Sequence, residues 1–160
     1  LIGVEITDGK EELILTTRDG NAIRFDENQV TQTSRNSMGV IGIRLNKEDE
    51  VVNFSIVNED DYLVSVGENG YGKLTKVSEF NTQNRAGKGV ISYKVTEKTG
   101  KVVASFVVSK ENQLMIITEG GTVIRIAVDQ ISTFGRNTQG VKLMNLKDSK
   151  VVAVAIFIGE

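Results

Sequence analysis

The residues best placed to do chemistry in this chain are arginines on glycine-rich loops. An Arg-x-x-x-Gly-Val element occurs three times, as Arg35-Asn-Ser-Met-Gly39-Val40, Arg85-Ala-Gly-Lys-Gly89-Val90 and Arg136-Asn-Thr-Gln-Gly140-Val141. Each copy sets one permanent cation on a loop among small or polar neighbours, just before an apolar run. Such an arginine can bond loop carbonyls and fix its turn, or it can face phosphate; the two roles are compatible. Repeated around a curved scaffold, one cation per copy becomes a curved row. A curved row neutralises a bent phosphate backbone without reading bases. Asn36, Ser37, Asn137, Thr138 and Gln139 can add neutral phosphate contacts beside it.

Other sets of residues read as structure. Gly67-Glu-Asn-Gly-Tyr-Gly-Lys73 matches the opening of a phosphate-binding loop, but Leu74 stands where Ser or Thr should hold magnesium. No long helix follows to aim its N-terminus at a phosphate. The same slot elsewhere holds Thr17-Arg-Asp-Gly20 and Thr118-Glu-Gly-Gly121, which are hairpin turns. The acidic groups Glu48-Asp-Glu50 and Glu59-Asp-Asp61 lack calcium-loop spacing and read as solvated loops. Tyr62, Tyr71 and Tyr93 read as packing groups. The Asn53-Phe-Ser55 sequon falls inside an expected strand and is set aside. The chain has no histidine and no cysteine, which removes the commonest general base, disulfides and zinc ribbons. With no catalytic constellation, a non-catalytic segment without metal or cofactor of its own is expected.

Charge sets the main difficulty. The formal net charge over 160 residues is −2, whereas DNA-binding domains usually show a basic excess. A DNA reading must rest on where the charges sit.

The elements that hold the loops come from a repeat. The arginines at 35, 85 and 136, and the turn glycines at 20, 70 and 121, recur at the same steps of 50 and 51 residues. Apolar runs Val51–Ile56, Val102–Val108 and Val151–Ile156 close each unit. Each unit reads as four short strands, in the first copy Leu13–Thr17, Ala22–Phe25, a third carrying Ile41, Ile43 and Leu45, and Val51–Ile56. Four strands in about fifty residues make a propeller blade. The expectation is an all-β propeller or β-pinwheel of about three four-stranded blades, at residues 11–58, 59–109 and 110–160. Leu1–Ile6 matches Val51–Ile56, so residues 1–10 read as the last strand of a preceding blade.

These loops carry a family resemblance. Gln83-Asn-Arg-Ala-Gly-Lys-Gly89 is similar to the signature box of the C-terminal domain of the DNA gyrase A family, with Asn84 and Ala86 where that box is typically basic and glycine. Gly135-Arg-Asn-Thr-Gln-Gly-Val141 and Asn69-Gly-Tyr-Gly-Lys73 resemble loops of its later blades. The resemblance covers the whole chain and places it on roughly the last three blades; the full-strength box is absent. It implies a cytoplasmic, non-catalytic module that wraps double-stranded DNA for a type II topoisomerase, supporting ATP-dependent negative supercoiling. ATP and Mg2+ would act through other domains. The partners would be the rest of the gyrase A subunit plus the gyrase B subunit, with no membrane involved. Gyrase is favoured over the related topoisomerase IV by three well-kept repeats. The candidate DNA contacts are Arg35, Arg85, Lys88 and Arg136, with Lys73, Lys142, Arg44 and Lys94 as neighbours. The alternative is a protein-interaction propeller without DNA binding, which the net charge suits, although the tryptophan usual in such repeats is missing. Three blades do not close a usual ring, so an open arc or self-association of two copies is expected.

Overall fold

The computed structural model describes residues 1–147 and 149–157; Asp148 and residues 158–160, the end of the third expected blade, lie outside the described residues. Three hairpins form its frame: β1 (Glu12–Thr17) with β2 (Asn21–Asp26), β4 (Tyr62–Gly67) with β5 (Tyr71–Lys76), and β8 (Gln113–Thr118) with β9 (Val123–Ala127). The turns need φ > 0, and Gly20, Gly70 and Gly121 supply it at 86°, 84° and 85°. Inner strands β3 (Val51–Ile56), β7 (Val102–Val108) and β11 (Val151–Phe157) each pair antiparallel with the first strand of their own hairpin. A register shift recurs near the same end of all three pairs. The inner strands converge: Ser105 donates its backbone N–H to Asn53 Oδ1 at 2.8 Å, and Val107 donates to Ser55 Oγ at 3.2 Å. The side chain of the Asn53 sequon is thus a strand-to-strand link.

The third strand of each unit departs from the sequence reading, while the fourth is found as expected in β3, β7 and β11. The dipeptide strands β6 (Val90–Ile91) and β10 (Val141–Lys142) leave their own repeat and pair with β2 and β5 of the one before. The first sheet therefore runs β3-β1-β2-β6, the second β10-β5-β4-β7, and the third is β11-β8-β9. Ile41, Ile43 and Leu45 form no strand, and neither do residues 1–8. A strand exists through its neighbour's hydrogen bonds, and neither segment is paired in a sheet among the described residues.

The apolar core lies between sheets. Ile14 and Ala22 of the first sheet meet Leu63 and Phe80 of the second repeat. Val64, Val66 and Leu74 meet Leu114, Ile116, Val128 and Ile131 of the third. Strand β4 is consequently buried on both faces from Leu63 to Gly67, which explains an apolar run interrupted only by Ser65, whose hydroxyl pairs with that of Ser105 at 2.9 Å. After each outer strand the chain makes one 3₁₀ turn, at Glu27–Gln29, Val77–Glu79 and Val128–Gln130. In the second and third repeats it then runs back along the outer edge of the preceding sheet. No helix is long and apolar enough to cross a membrane.

Candidate nucleic-acid interface

That returning run carries the repeated arginine. In the second repeat it begins beside Arg24, where Gln83 donates N–H to the Arg24 carbonyl at 2.7 Å, and ends where Val90 pairs with Ala22. In the third it begins beside Leu74, with Phe134 donating to its carbonyl at 2.8 Å, and ends with Val141 on Gly72. The glycine before each valine is fixed by geometry. At Gly89 (φ 76°) a Cβ would lie 2.3 Å from the Ala22 carbonyl oxygen, and at Gly140 (φ 74°) 2.2 Å from that of Gly72. Any side chain there would push the swapped strand off the sheet.

The arginines bind across the boundary between repeats. Arg85 donates from Nε to the Gln29 carbonyl at 2.9 Å and from a terminal nitrogen to the Ile41 carbonyl. Arg136 donates to the Ile91 carbonyl at 3.3 Å. Ile91 holds in the second repeat the place of Ile41 in the first, so this bond recurs with the repeat. Each arginine's loop also accepts from a cation-bearing segment of the preceding repeat. Arg44 donates its backbone N–H to Gly87 O at 2.8 Å and its Nε to Ala86 O at 3.4 Å, while Lys94 donates its N–H to Thr138 O at 3.0 Å. Both arginines are half-buried, whereas Arg35, Arg44, Lys88, Lys94 and Lys142 are exposed. Lys142 stands over the Tyr71 ring at 6.0 Å. The structure thus brings Arg44, Arg85 and Lys88 to one inter-repeat boundary and Lys94 and Arg136 to the next. Arg35 stands apart on the exposed run 31–40.

Lys73 departs from its expected role as a neighbouring phosphate contact. Its relative exposure is 0%, and its ammonium donates to Gly135 O and Arg136 O at 2.7 Å each and to Thr138 Oγ1 at 3.0 Å. All three of its donors are spent inside the protein. Burial pulls its pKa from 10.5 down to about 8, with Arg136 acting in the same direction and Glu79 opposing.

Acidic residues are excluded from these runs. Segments 31–46, 80–96 and 130–147 hold eight of the 19 lysines and arginines and none of the 21 aspartates and glutamates. The net charge therefore conceals three purely cationic strips, and exposed Lys147 belongs to the third. Acids elsewhere are partly spent on pairing. Buried Arg24 binds Glu12 and Glu59 and donates to Val77 O at 3.3 Å and Phe80 O at 3.1 Å. Burial pushes the Glu12 carboxyl up, but bonds from Thr82 and Arg24 outweigh it and leave the pKa below 4.5. Among the described residues no cluster of acidic side chains is arranged to hold a metal ion.

The family described as "DNA gyrase C-terminal domain, beta-propeller" matches residues 11–58, 61–109 and 112–157. The DNA gyrase A subunit of Escherichia coli (strain K12) is 44% identical over 155 residues, covering 96% of this chain and 18% of that protein. The DNA gyrase A subunit of Deinococcus deserti is 44% identical over 163 residues, covering 98% of this chain and 20% of that protein. The chain thus spans about a fifth of the length of these curated relatives. A solved DNA gyrase A C-terminal domain superposes with a TM-score of 0.86 at 31% identity, over 93% of this chain and 51% of that one. The C-terminal domain of a DNA topoisomerase IV superposes at 0.91 with 26% identity, over 96% and 49%.

Proposed function

Because the chain belongs to the DNA gyrase C-terminal β-propeller family, we propose that it binds duplex DNA along the outer edges of its sheets and bends it, as a non-catalytic wrapping module of a gyrase A subunit. The observation that carries this reading is the segregation of charge: strips 80–96 and 130–147, with six cations and no acid, run along the edges of consecutive sheets, and segment 31–46 repeats the same acid-free pattern. Cations on successive edges of a turning stack follow an arc, and a duplex that follows them must bend. Bending a site of 20–30 base pairs costs roughly 1–6 kcal/mol, which contacts along the arc must offset. Permanent guanidinium charge suits that task, and half-buried arginines held by carbonyls lose little freedom when they meet phosphate.

In this reading the module presents a bent segment to the rest of the enzyme, whose strand passage and ATP hydrolysis lie outside this chain. The test is duplex binding by fluorescence anisotropy across a salt series. Neutralising about four phosphates gives a slope of log K against log salt near −3.6, that is about −0.9 for each. Absent or salt-independent binding would instead identify a protein scaffold.

A further inference from the structure

We infer that Lys73 is a positioning residue for DNA contact, its buried ammonium holding the loop that presents Arg136; this rests on the function proposed above. The three acceptors come from one loop, the Gly135 carbonyl, the Arg136 carbonyl and Thr138 Oγ1. They match the donors of an ammonium one for one. Thr138 is fixed in turn by donating to Gly135 O at 2.8 Å. Holding the Gly135 and Arg136 carbonyls inward keeps their negative ends away from the edge where phosphate would lie. The arginine's guanidinium is left to the outer side, bonded to Ile91 O.

The repeat supplies its own control. Ile23 and Ile124 stand at the corresponding places of the first and third repeats. Under the second repeat's loop Ile23 offers only carbon: a Cβ built on Gly87 or Gly89 would meet its side chain at 3.5 and 3.4 Å. A lysine is therefore unnecessary for filling this position. It adds directed bonds to the one loop whose arginine has a single carbonyl partner from the neighbouring repeat, where Arg85 has two.

The groups facing the ammonium are Glu79 from the 3₁₀ turn, Arg136 from the loop and the Tyr93 ring at 5.8 Å. Tyr93 is pushed up to about 12 by burial and stays neutral where Lys73 titrates. A neutral amine keeps two donors and turns a lone pair toward an oxygen, so losing the proton loosens the loop.

The experiment uses Lys73→Ile, which installs the residue type of the flanking repeats. In the free chain, amide exchange over residues 135–140 should quicken about tenfold while residues 83–89 stay unchanged. In duplex binding, the loss caused by Arg136→Ala should nearly vanish in the Lys73→Ile background. Unchanged exchange, or the same Arg136→Ala loss in both backgrounds, overturns the inference. A parent chain that binds no duplex overturns the functional reading instead, and exchange reports the loop without DNA. Should Lys73→Ile fail to fold, the salt slope decides. Between about pH 7 and pH 9.5 it should weaken by about one in the parent and not in Arg136→Ala, and an equal pH response in both is the overturning result.

Discussion

The boundary between the first and second repeats and the boundary between the second and third do the same job with different chemistry. At the first, the buried cation is Arg24, which takes the carbonyls of Val77 and Phe80 and so grips the root of the next repeat's loop. At the second, Leu74 stands in that place, and the buried cation is its strand neighbour Lys73, which grips the loop at the arginine itself. Successive strand residues face opposite sides, so moving the cation by one position moves its hold from one end of the loop to the other. The arginines compensate. Arg85, unsupported from below, takes two carbonyls of the preceding repeat and has its own N–H bound by Gln29 Oε1 at 2.7 Å. Two arrangements that place an arginine on a sheet edge by different means suggest that its placement is the property retained.

Each boundary can be broken where it is special. The largest effect is expected from Arg24→Ala, which strands two carbonyls and the Glu12 carboxylate in a partly buried site. Urea denaturation should show a loss of about 3 kcal/mol. A loss under 1 kcal/mol would mean that water replaces the guanidinium and that the first boundary is held by its apolar contacts.

The second boundary should be the pH-sensitive one. Lys73 has its pKa lowered to about 8 from an ordinary 10.5. Below about pH 8 both folded and unfolded chains hold the proton, and stability does not change through this group. Between there and about 10.5 only the unfolded chain holds it, so stability rises with pH, by something on the order of 2 kcal/mol. Thermal melts across that window should show the rise in the parent and lack it in Lys73→Ile. Overall stability and loop order thus move in opposite directions with pH.

The smallest effect belongs to the first boundary again. Ala86 sits at φ 68°, a left-handed conformation that costs an L-residue roughly 1 kcal/mol and glycine almost nothing. Ala86→Gly should stabilise the chain by about that amount. Asn137→Gly, one residue after the other arginine but without a left-handed φ, should not.

Sequence alone reached the repeat, the hairpins and the loops, because those signals are local: glycine at a turn needing φ > 0, and apolar runs of strand length. The family resemblance also marked glycine as the usual residue where Ala86 is strained. The third strand of each unit was legible as a strand but not its pairing, since only two residues pair and their partner is chosen by how repeats stack. Lys73 was misplaced because a lysine beside a glycine turn reads as solvated. The correction was present in the repeat, where Ile23 and Ile124 occupy its register and mark the position as inward. The cationic strips were equally legible, but net charge averages over the whole chain what the three segments separate.

If duplex DNA lies on the acid-free edges, then which cations are removed must matter more than how many. Salt-dependent duplex binding is compared for the parent, for Arg35, Arg85 and Arg136 all changed to Ala, and for Lys98, Lys110 and Lys150 all changed to Ala as a control for charge alone. The arginine variant should bind all sequences more weakly and lose about 2.7 from its salt slope, at about 0.9 per phosphate contact, while the lysine variant stays near the parent. Equal weakening of the two variants, or a folded arginine variant that binds like the parent, would contradict it.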